Sequence, residues 1–230
     1  MFATNHETRS LLLRAGAERV ELFLDGAFTP KDGQIAPKTK GDGLTLLWAG
    51  RIVTQKGLPI ALRAVAACSK KEVRMVVAGT GETEDAMKGL ARSLGLEDRV
   101  TFLGRVSPEA MAALFDRCDA LIFTSLREAF GTVILEAAGR GLPVIGLNHQ
   151  GLRAFVPDAA SVKVEPGSLP QMVRGFADAC DCLAADPQRL RSMSEAALQF
   201  ASEQTAERRA VSMLHFYEEL LSGPAGRVLT

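Results

Sequence analysis

The sequence is poor in the residues that build metal centres and disulfide frameworks, and it has no long apolar run. It contains four cysteines and three histidines in 230 residues. Cys68, Cys118, Cys180 and Cys182 are too scattered for a zinc ribbon or a disulfide-rich fold. No segment approaches the ~18 apolar residues of a membrane span, and the opening MFATNHETRS has neither the basic nor the apolar region of a secretory signal. We therefore expect reduced thiols, no metal site and a cytoplasmic location.

A large excess of charge of one sign is also absent. The 27 lysines and arginines are balanced by 27 aspartates and glutamates, and hydrophobic residues make up 47% of the chain. This balance disfavours a basic nucleic-acid-binding protein and a charged disordered tail. The length exceeds the ~100 to 200 residues typical of one domain. It predicts one large domain, or one domain with a fragment of another, and a sizeable core.

Strand-like apolar runs alternate with helical patterns through the middle of the chain. The six runs lie at 44–50, 73–79, 99–104, 119–125, 142–147 and 161–164. The helical patterns between them lie at about 57–69, 83–95, 108–117 and 130–139. Strands buried on both faces read as continuous Val, Ile and Leu runs, and parallel strands need helices as crossovers. We therefore predict an α/β fold with a Rossmann-like, doubly wound parallel sheet.

The two ends of the sequence depart from this alternation. Residues 25–43 concentrate Gly, Pro, Lys and Asp, which is typical of a linker. The segment before them, 7–25, reads as one helix and one strand without recognisable partners. Towards the other end, three helical patterns follow one another at 169–186, 187–202 and 206–221.

Two loops at the ends of predicted strands carry candidate ligand groups. In GRIVTQKG, Arg51 and Lys56 suit a diphosphate, because Arg can bind two oxygens at once and Lys acts as a compact charge. The alternative is a pair of solvated surface charges. In GTGE, Glu84 stands where the dinucleotide fingerprint GxGxxG requires its third glycine, which disfavours NAD. Gly81 either contacts a ligand or only turns the chain into a helix.

A third segment, SLREAFGTVILEAAGRGLPVIGL, places two carboxylates near the start of a predicted helix. Seven residues separate Glu128 from Glu136, so Glu128 would lie in the loop and Glu136 about two turns into the helix. Gly131 allows close approach of the backbone, and the free amides at 130–132 would face an anion. The alternative is that acidic residues simply favour a helix start, with Glu136 also paired to Arg140.

These segments, together with LGLEDRVTFLGRVSPEAMAALFDRCDALIFTS between them, resemble the nucleotide-sugar-binding half of the retaining GT-B glycosyltransferases of family 4, the glycosyl transferases group 1. The family marker, two glutamates separated by seven residues, is present as EAFGTVILE. The resemblance runs from about residue 44 to the end. It implies a donor-binding domain at 44–204, preceded at 1–43 by a remnant of the acceptor domain with the interdomain linker. The amphipathic helix at 205–230 would cross back to the missing domain.

The resemblance also implies roles for individual side chains. Arg51 and Lys56 would hold the donor diphosphate in place of a metal cation, and with Glu128 they form the predicted catalytic set. Glu128 would contact hydroxyls of the transferred sugar. Glu136 would bind the ribose hydroxyls, since a carboxylate can accept from two vicinal hydroxyls.

Further ligand contacts would come largely from the backbone. The implied contacts are Phe130, Gly131 and Thr132 beside the sugar, Gly104, Arg105 and Val106 beside the base, and Gly81. Two positions depart from the family pattern. Ala129 stands where Gly is common, and Arg153 with Ala154 stand where a Pro-Glu pair is frequent.

The implied activity is glycosyl transfer of the hexosyltransferase type from a nucleoside-diphosphate sugar, with retention and without metal or cofactor. The missing N-terminal half would hold the acceptor, so the isolated chain would bind the donor without transferring sugar. The last helix, with Val211, Leu214 and Leu220 on one side, would expose apolar surface through which two copies could pair. In a full-length enzyme the resemblance also allows a peripheral position at the inner face of the membrane. The alternative function is a non-catalytic, regulatory module that binds nucleotides or nucleotide sugars, and an NAD-dependent oxidoreductase is disfavoured.

Overall fold

The computed structural model describes residues 1–29 and 43–222, except for the side chain of Leu220. In this part of the chain the strands are β1 Phe2–Ala3, β2 Glu21–Leu22, β3 Leu44–Ala49, β4 Val73–Ala78, β5 Val100–Gly104, β6 Ala120–Phe123, β7 Val144–Leu147 and β8 Ser161–Val164. The α-helices are α1 His6–Arg14, α2 Leu58–Ala67, α3 Glu84–Ser93, α4 Pro108–Arg117, α5 Thr132–Ala138, α6 Gln150–Phe155, α7 Leu169–Ala185, α8 Pro187–Glu203 and α9 Ala206–Ser222. Short 3-10 turns lie at Thr54–Lys56 and Asp158–Ala160.

The strands β3 to β8 form one parallel sheet in the order β5-β4-β3-β6-β7-β8. The chain runs outward from β3 to β5 and then returns to β6 on the other side of β3. This arrangement confirms the predicted doubly wound parallel sheet. The carboxyl ends of β3 and β6 lie side by side where the winding reverses, which is where open α/β sheets bind ligands.

Alternate residues of β3 face opposite helical layers. Leu46 and Trp48 are buried with residues of α2 and α7, whereas Leu47 is buried with residues of α5 and α8. Burying a leucine side chain contributes about 1.5 to 3 kcal/mol, so both faces of the strand stabilise the sheet. Because neither face meets water, the strand reads as a continuous apolar run.

The helices follow the predicted pattern with two differences. α5 begins at Thr132 rather than near Phe130, because Gly131 has φ 92° and ψ 98°, outside the helical region. The second difference is α6, which the sequence pattern does not predict. Its six residues are too few to show a helical period.

The N-terminal segment has partners, contrary to the expectation from its sequence. β1 and β2 pair in parallel, with Phe2 opposite Glu21 and Ala3 opposite Leu22. The expectation was wrong because β1 has only two residues, too few to show an alternating pattern.

The last helix, α9, packs against this N-terminal segment. Phe216 is 8% exposed, and its ring centroid lies 4.5 Å from that of Phe2. The Arg19 guanidinium lies 4.8 Å above the Phe216 ring and also binds Glu219, with Nη2 2.7 Å from Oε2. The Tyr217 ring also meets Phe2 edge-on, with 6.4 Å between the ring centroids. Two neighbouring aromatic side chains therefore join α9 to the beginning of the chain.

Part of the apolar surface of α9 stays exposed, with Val211 at 65% and Leu214 at 61%. The Leu220 side chain is outside the part of the chain that the structure describes. The pairing of two copies through α9 stays a prediction. None of the helices at 1–29 and 43–222 is long and apolar enough to cross a membrane. The cytoplasmic location and the domain boundaries inferred from the sequence also stay predictions.

We expect Phe216→Ala to loosen the packing of α9 on β1 and β2, because it removes the α9 ring that lies nearest to Phe2. A cost of about 3 kcal/mol is typical for truncating a well-packed phenylalanine. Hydrogen exchange should then speed up in α9 and in the N-terminal segment, while β3 to β8 keep their protection. Val211→Ala, at an exposed position of the same helix, is the matched control. Unchanged exchange in Phe216→Ala would contradict this packing role.

Candidate functional site

The loop after β3 is held against the end of β6 by a buried threonine. The Thr124 hydroxyl accepts a hydrogen bond from Trp48 Nε1 at 3.1 Å and donates one to the Lys56 carbonyl at 3.0 Å. Gly57 has φ 66°, and a Cβ at this position would lie 2.2 Å from the Thr124 carbonyl oxygen. The two backbones therefore touch where only glycine fits, and the position of Lys56 is fixed by β6.

This contact brings together two of the predicted catalytic residues. The Lys56 ammonium group and the Glu128 carboxylate form an ion pair, although they are 72 residues apart. Both side chains are about one quarter exposed, at 25% and 24%. The pair lines a cavity of about 320 Å³ that Phe130, Gly131 and Thr132 also border. The Phe130 side chain is buried, so the backbone at this position is what a ligand would meet.

Arg51 lies in a neighbouring cavity of about 250 Å³ with Arg105 and Val106. Its side chain is 76% exposed, and Nη2 is 3.7 Å from Glu82 Oε1, whose side chain is 82% exposed. A pair this exposed contributes little stability and leaves the guanidinium available to a ligand. Gly104 borders the same region, and its carbonyl accepts from the Gly79 amide at 2.8 Å.

The glycines of GTGE are explained by contact between loops. A Cβ on Gly79 would lie 1.8 Å from the Gly50 carbonyl oxygen, and one on Gly81 would lie 2.2 Å from the Ile52 carbonyl oxygen. Both positions require glycine because the loops after β3 and β4 pack backbone to backbone. A ligand contact by Gly81 stays a prediction.

Glu136 is exposed and lies in a third cavity, of about 310 Å³, with Phe28 and Met111. Arg140 does not pair with Glu136, because its Nη1 binds Asp116 at 2.9 and 3.1 Å. The ion-pair explanation for the spacing of Glu136 and Arg140 is therefore wrong for this structure.

The three cavities adjoin one another along the carboxyl edge of the sheet. Gly50 borders both the Lys56 cavity and the Arg51 cavity. Thr132 borders the Lys56 and Glu136 cavities, and Met111 borders the Arg51 and Glu136 cavities. Together they form one groove, which we call the donor groove after the ligand proposed for it below. Four cationic side chains, Arg51, Lys56, Arg105 and Arg140, and three carboxylates, Asp25, Glu128 and Glu136, line it.

Sequence reasoning missed the wall that residues 25–29 contribute to the donor groove. Asp25 lines the Lys56 cavity, and Phe28 lines the Glu136 cavity. The Phe28 amide donates to the Gln204 carbonyl at 2.7 Å, and its ring lies 2.0 Å from where a Cβ on Gly139 would be. The composition of 25–43 suggests only a linker. The signal that could have shown a packed segment is the apolar Phe28 within it.

Arg209 of α9 holds the chain next to Asp25. Its guanidinium lies 4.4 Å from the centre of the Phe23 ring and donates a hydrogen bond to the Leu24 carbonyl. Burial lowers the pKa of Arg209, and the nearby Asp25 carboxylate opposes this shift. Arg153, one of the positions that depart from the family pattern, also contacts the N-terminal segment. Its Nη2 lies 3.4 Å from Glu7 Oε1.

No group of three or more His, Cys, Asp and Glu side chains within residues 1–29 and 43–222 is arranged to hold a metal ion.

Residues 32–200 match the family model described as glycosyl transferases group 1, which is well over half of the chain. The chain belongs to this family. The D-inositol 3-phosphate glycosyltransferase of Corynebacterium urealyticum is 29% identical, covering 97% of this chain and 55% of that protein. The enzyme of the same name from Mycobacterium leprae is 32% identical, covering 95% of this chain and 54% of that protein. The chain thus spans about half the length of the curated relatives it matches.

The fold agrees with that of solved glycosyltransferases. Anabaena Alr3699/HepE, solved in complex with UDP, superposes with a TM-score of 0.78 at 21% identity, covering 95% of this chain and 63% of that chain. This likeness identifies the fold as that of the C-terminal-type domain of GT-B glycosyltransferases. It confirms the fold expected from the family resemblance.

Replacing Thr124 by Val tests the bridge that positions Lys56. The change is nearly isosteric but leaves the buried Trp48 Nε1 and the Lys56 carbonyl without their partner. We expect the free energy of unfolding in urea to fall by about 1 to 3 kcal/mol. Thr124→Ser keeps the hydroxyl and should remain the more stable of the two variants. Equal stability of the Val and Ser variants would show that the bridge has no such role.

Proposed function

We propose that the donor groove binds a nucleoside-diphosphate sugar, and that this chain is the donor side of a retaining, metal-independent family 4 glycosyltransferase that transfers a hexose. The observation that carries the proposal is the meeting of Lys56 and Glu128 where the winding of the sheet reverses. A cation suited to phosphate and a carboxylate suited to sugar hydroxyls stand side by side at this point.

The diphosphate would lie near Gly50, which borders the cavities of both Lys56 and Arg51. As the bond to the sugar breaks, negative charge builds up on the leaving diphosphate. Two cations beside the diphosphate would stabilise that charge more strongly in the transition state than in the ground state, which is what accelerates a reaction. In this proposal Lys56 and Arg51 do what a metal ion does in other transferases.

The transferred sugar would occupy the Lys56 cavity. Glu128 and Asp25 both line this cavity, and each carboxylate can accept hydrogen bonds from sugar hydroxyls. The backbone at 130–132 would border the sugar.

The nucleoside would extend along the rest of the groove. Glu136 would accept hydrogen bonds from the ribose hydroxyls, because its cavity adjoins the Lys56 cavity at Thr132. The base would lie towards Arg105 and Val106, with Gly104 beside them, because that cavity adjoins the Glu136 cavity at Met111.

The named relatives support a nucleotide-sugar donor. Anabaena Alr3699/HepE has been solved with UDP and also with UDP-glucose. The relatives from Corynebacterium urealyticum and Mycobacterium leprae carry the name of a glycosyltransferase that acts on an inositol phosphate. UDP and UDP-glucose are therefore the first ligands to test.

Transfer also requires an acceptor hydroxyl oriented against the donor. We propose that a separate acceptor-binding domain supplies this orientation, with residues 1–43 and α9 at the join and 44–204 as the donor domain. On this proposal the 230-residue chain alone binds the donor without transferring sugar.

Lys56→Ala and Arg51→Ala should each weaken binding of a nucleoside diphosphate more than binding of the bare nucleoside. A hydrogen bond to a charged group contributes about 1.5 to 3 kcal/mol, which corresponds to roughly a 10- to 150-fold loss of affinity. Isothermal titration with UDP, GDP and ADP and their nucleosides measures both losses. Lys88→Ala is the matched control, because Lys88 forms an ordinary helix pair with Glu84 outside the groove.

Equal losses of affinity for diphosphate and nucleoside would contradict the assignment of Lys56 and Arg51 to the phosphate site. If the wild-type chain binds none of these nucleotides or their sugars, the proposed function is wrong. Binding without transfer when an acceptor domain is supplied would instead favour the regulatory module.

Glu128→Gln should change the affinity for the sugar and the affinity for the diphosphate in opposite directions. Losing the carboxylate frees Lys56, so affinity for UDP should rise about two- to fivefold, the value of a partly exposed ion pair. The additional affinity that UDP-glucose has over UDP should fall.

Glu136→Gln should instead weaken a ribose nucleotide more than its 2′,3′-dideoxy analogue. Glu84→Gln on α3 is the control, and losses of stability without any change in these affinities would contradict both assignments.

A further inference from the structure

The first residue of α6 has an unusual backbone. Gln150 has φ 48°, and among the described residues it alone has a positive φ without being a glycine. A left-handed conformation brings the Cβ of an ordinary residue too close to the backbone and costs energy. Such a conformation persists where the surrounding contacts enforce it.

Three consecutive residues at the start of α6 hold the loop that carries Glu128. The Gln150 Oε1 atom accepts a hydrogen bond from the Glu128 amide at 2.6 Å. His149 Nε2 lies 3.0 Å from the Ser125 carbonyl oxygen. A Cβ on Gly151 would lie 2.2 Å from the Ala129 carbonyl oxygen, so the two backbones are in direct contact there.

These contacts explain why Gln150 adopts its conformation. His149 and Gly151 fix the start of α6 against the Glu128 loop on either side of Gln150. With both neighbours fixed, the left-handed backbone directs the Gln150 side chain to the Glu128 amide. The Glu128 amide donates to this side chain, and it has no main-chain acceptor in the part of the chain that the structure describes.

We propose that Gln150 is a positioning residue for Glu128. Glu128 is held at two points, with its carboxylate bound to Lys56 and its backbone amide bound to Gln150. A ligand phosphate that attracts Lys56 would loosen the first of these contacts. The second then keeps the carboxylate in place for the sugar hydroxyls. This inference rests on the proposed function, because it assigns the consequence to sugar binding.

The test uses three substitutions with different predicted effects. Gln150→Met keeps the length of the side chain but removes the acceptor. Gln150→Gly removes the acceptor and also relieves the left-handed backbone. Gln150→Glu keeps an oxygen that can accept from the Glu128 amide. Gln188→Met, at an exposed position of α8, is the control for replacing a glutamine by methionine.

The first readout needs no ligand. Exchange of the Glu128 amide hydrogen, followed by NMR, should be faster in the Met and Gly variants by about tenfold, the effect of losing one hydrogen bond of ordinary strength. The Glu variant and Gln188→Met should keep the wild-type rate. Unchanged exchange in the Met and Gly variants would overturn the proposal, whatever ligand the protein binds.

The second readout is the ratio of the affinities for UDP-glucose and UDP, measured by titration. We expect the Met and Gly variants to lose most of this ratio while UDP affinity stays near that of wild type, and the Glu variant to retain it. The Gly variant should do so with a melting temperature at or above wild type, which a purely structural role cannot explain. A retained ratio despite faster exchange would overturn the positioning role.

The two proposals fail in different ways. If the wild-type chain binds neither UDP nor UDP-glucose, and no other nucleotide of the panel, the proposed function fails. The exchange of the Glu128 amide then still decides whether Gln150 holds this loop. If the Met variant does not fold, the Gly variant decides both readouts alone.

Discussion

The backbone contact between Gly57 and Thr124 determines where the ligand groups of the donor groove stand. It joins the loop after β3 to the end of β6, and these two strands are neighbours only because the chain reverses its winding between β5 and β6. Lys56 comes directly before Gly57 in the first loop, and Glu128 comes shortly after Thr124 in the second. The groove is therefore a consequence of the sheet topology, made specific by one glycine and one buried hydroxyl.

The pairing of Lys56 with Glu128 has a cost as well as a role. In the structure the carboxylate neutralises the cation. In the proposed function an incoming diphosphate would therefore compete with Glu128 for Lys56. A donor with both a diphosphate and a sugar would satisfy both side chains at once, whereas a free diphosphate would leave Glu128 without its cation. The proposed arrangement would thus favour the complete donor over its leaving group.

Most of the sheet could be predicted from the sequence, because strands buried on both faces read as continuous apolar runs. The side chains expected along the groove could be found because short motifs at strand ends mark them. β1, α6 and the conformation of Gln150 could not be predicted in this way. The two residues of β1 are too few to show a period. The backbone of Gln150 depends on contacts with Ser125, Glu128 and Ala129, which no local sequence pattern reveals.

The segment at 25–29 shows how composition can mislead about function. It belongs to the stretch 25–43, whose Gly and Pro content is typical of a linker. Asp25 and Phe28 nevertheless form walls of the donor groove. Arg209 of α9 fixes the backbone beside Asp25, and Phe216 of the same helix packs on β1. The position of the last helix is thereby coupled to a carboxylate in the proposed sugar cavity. A movement of α9 against the sheet would shift Asp25 relative to Lys56, which connects the two ends of the chain to the proposed sugar site.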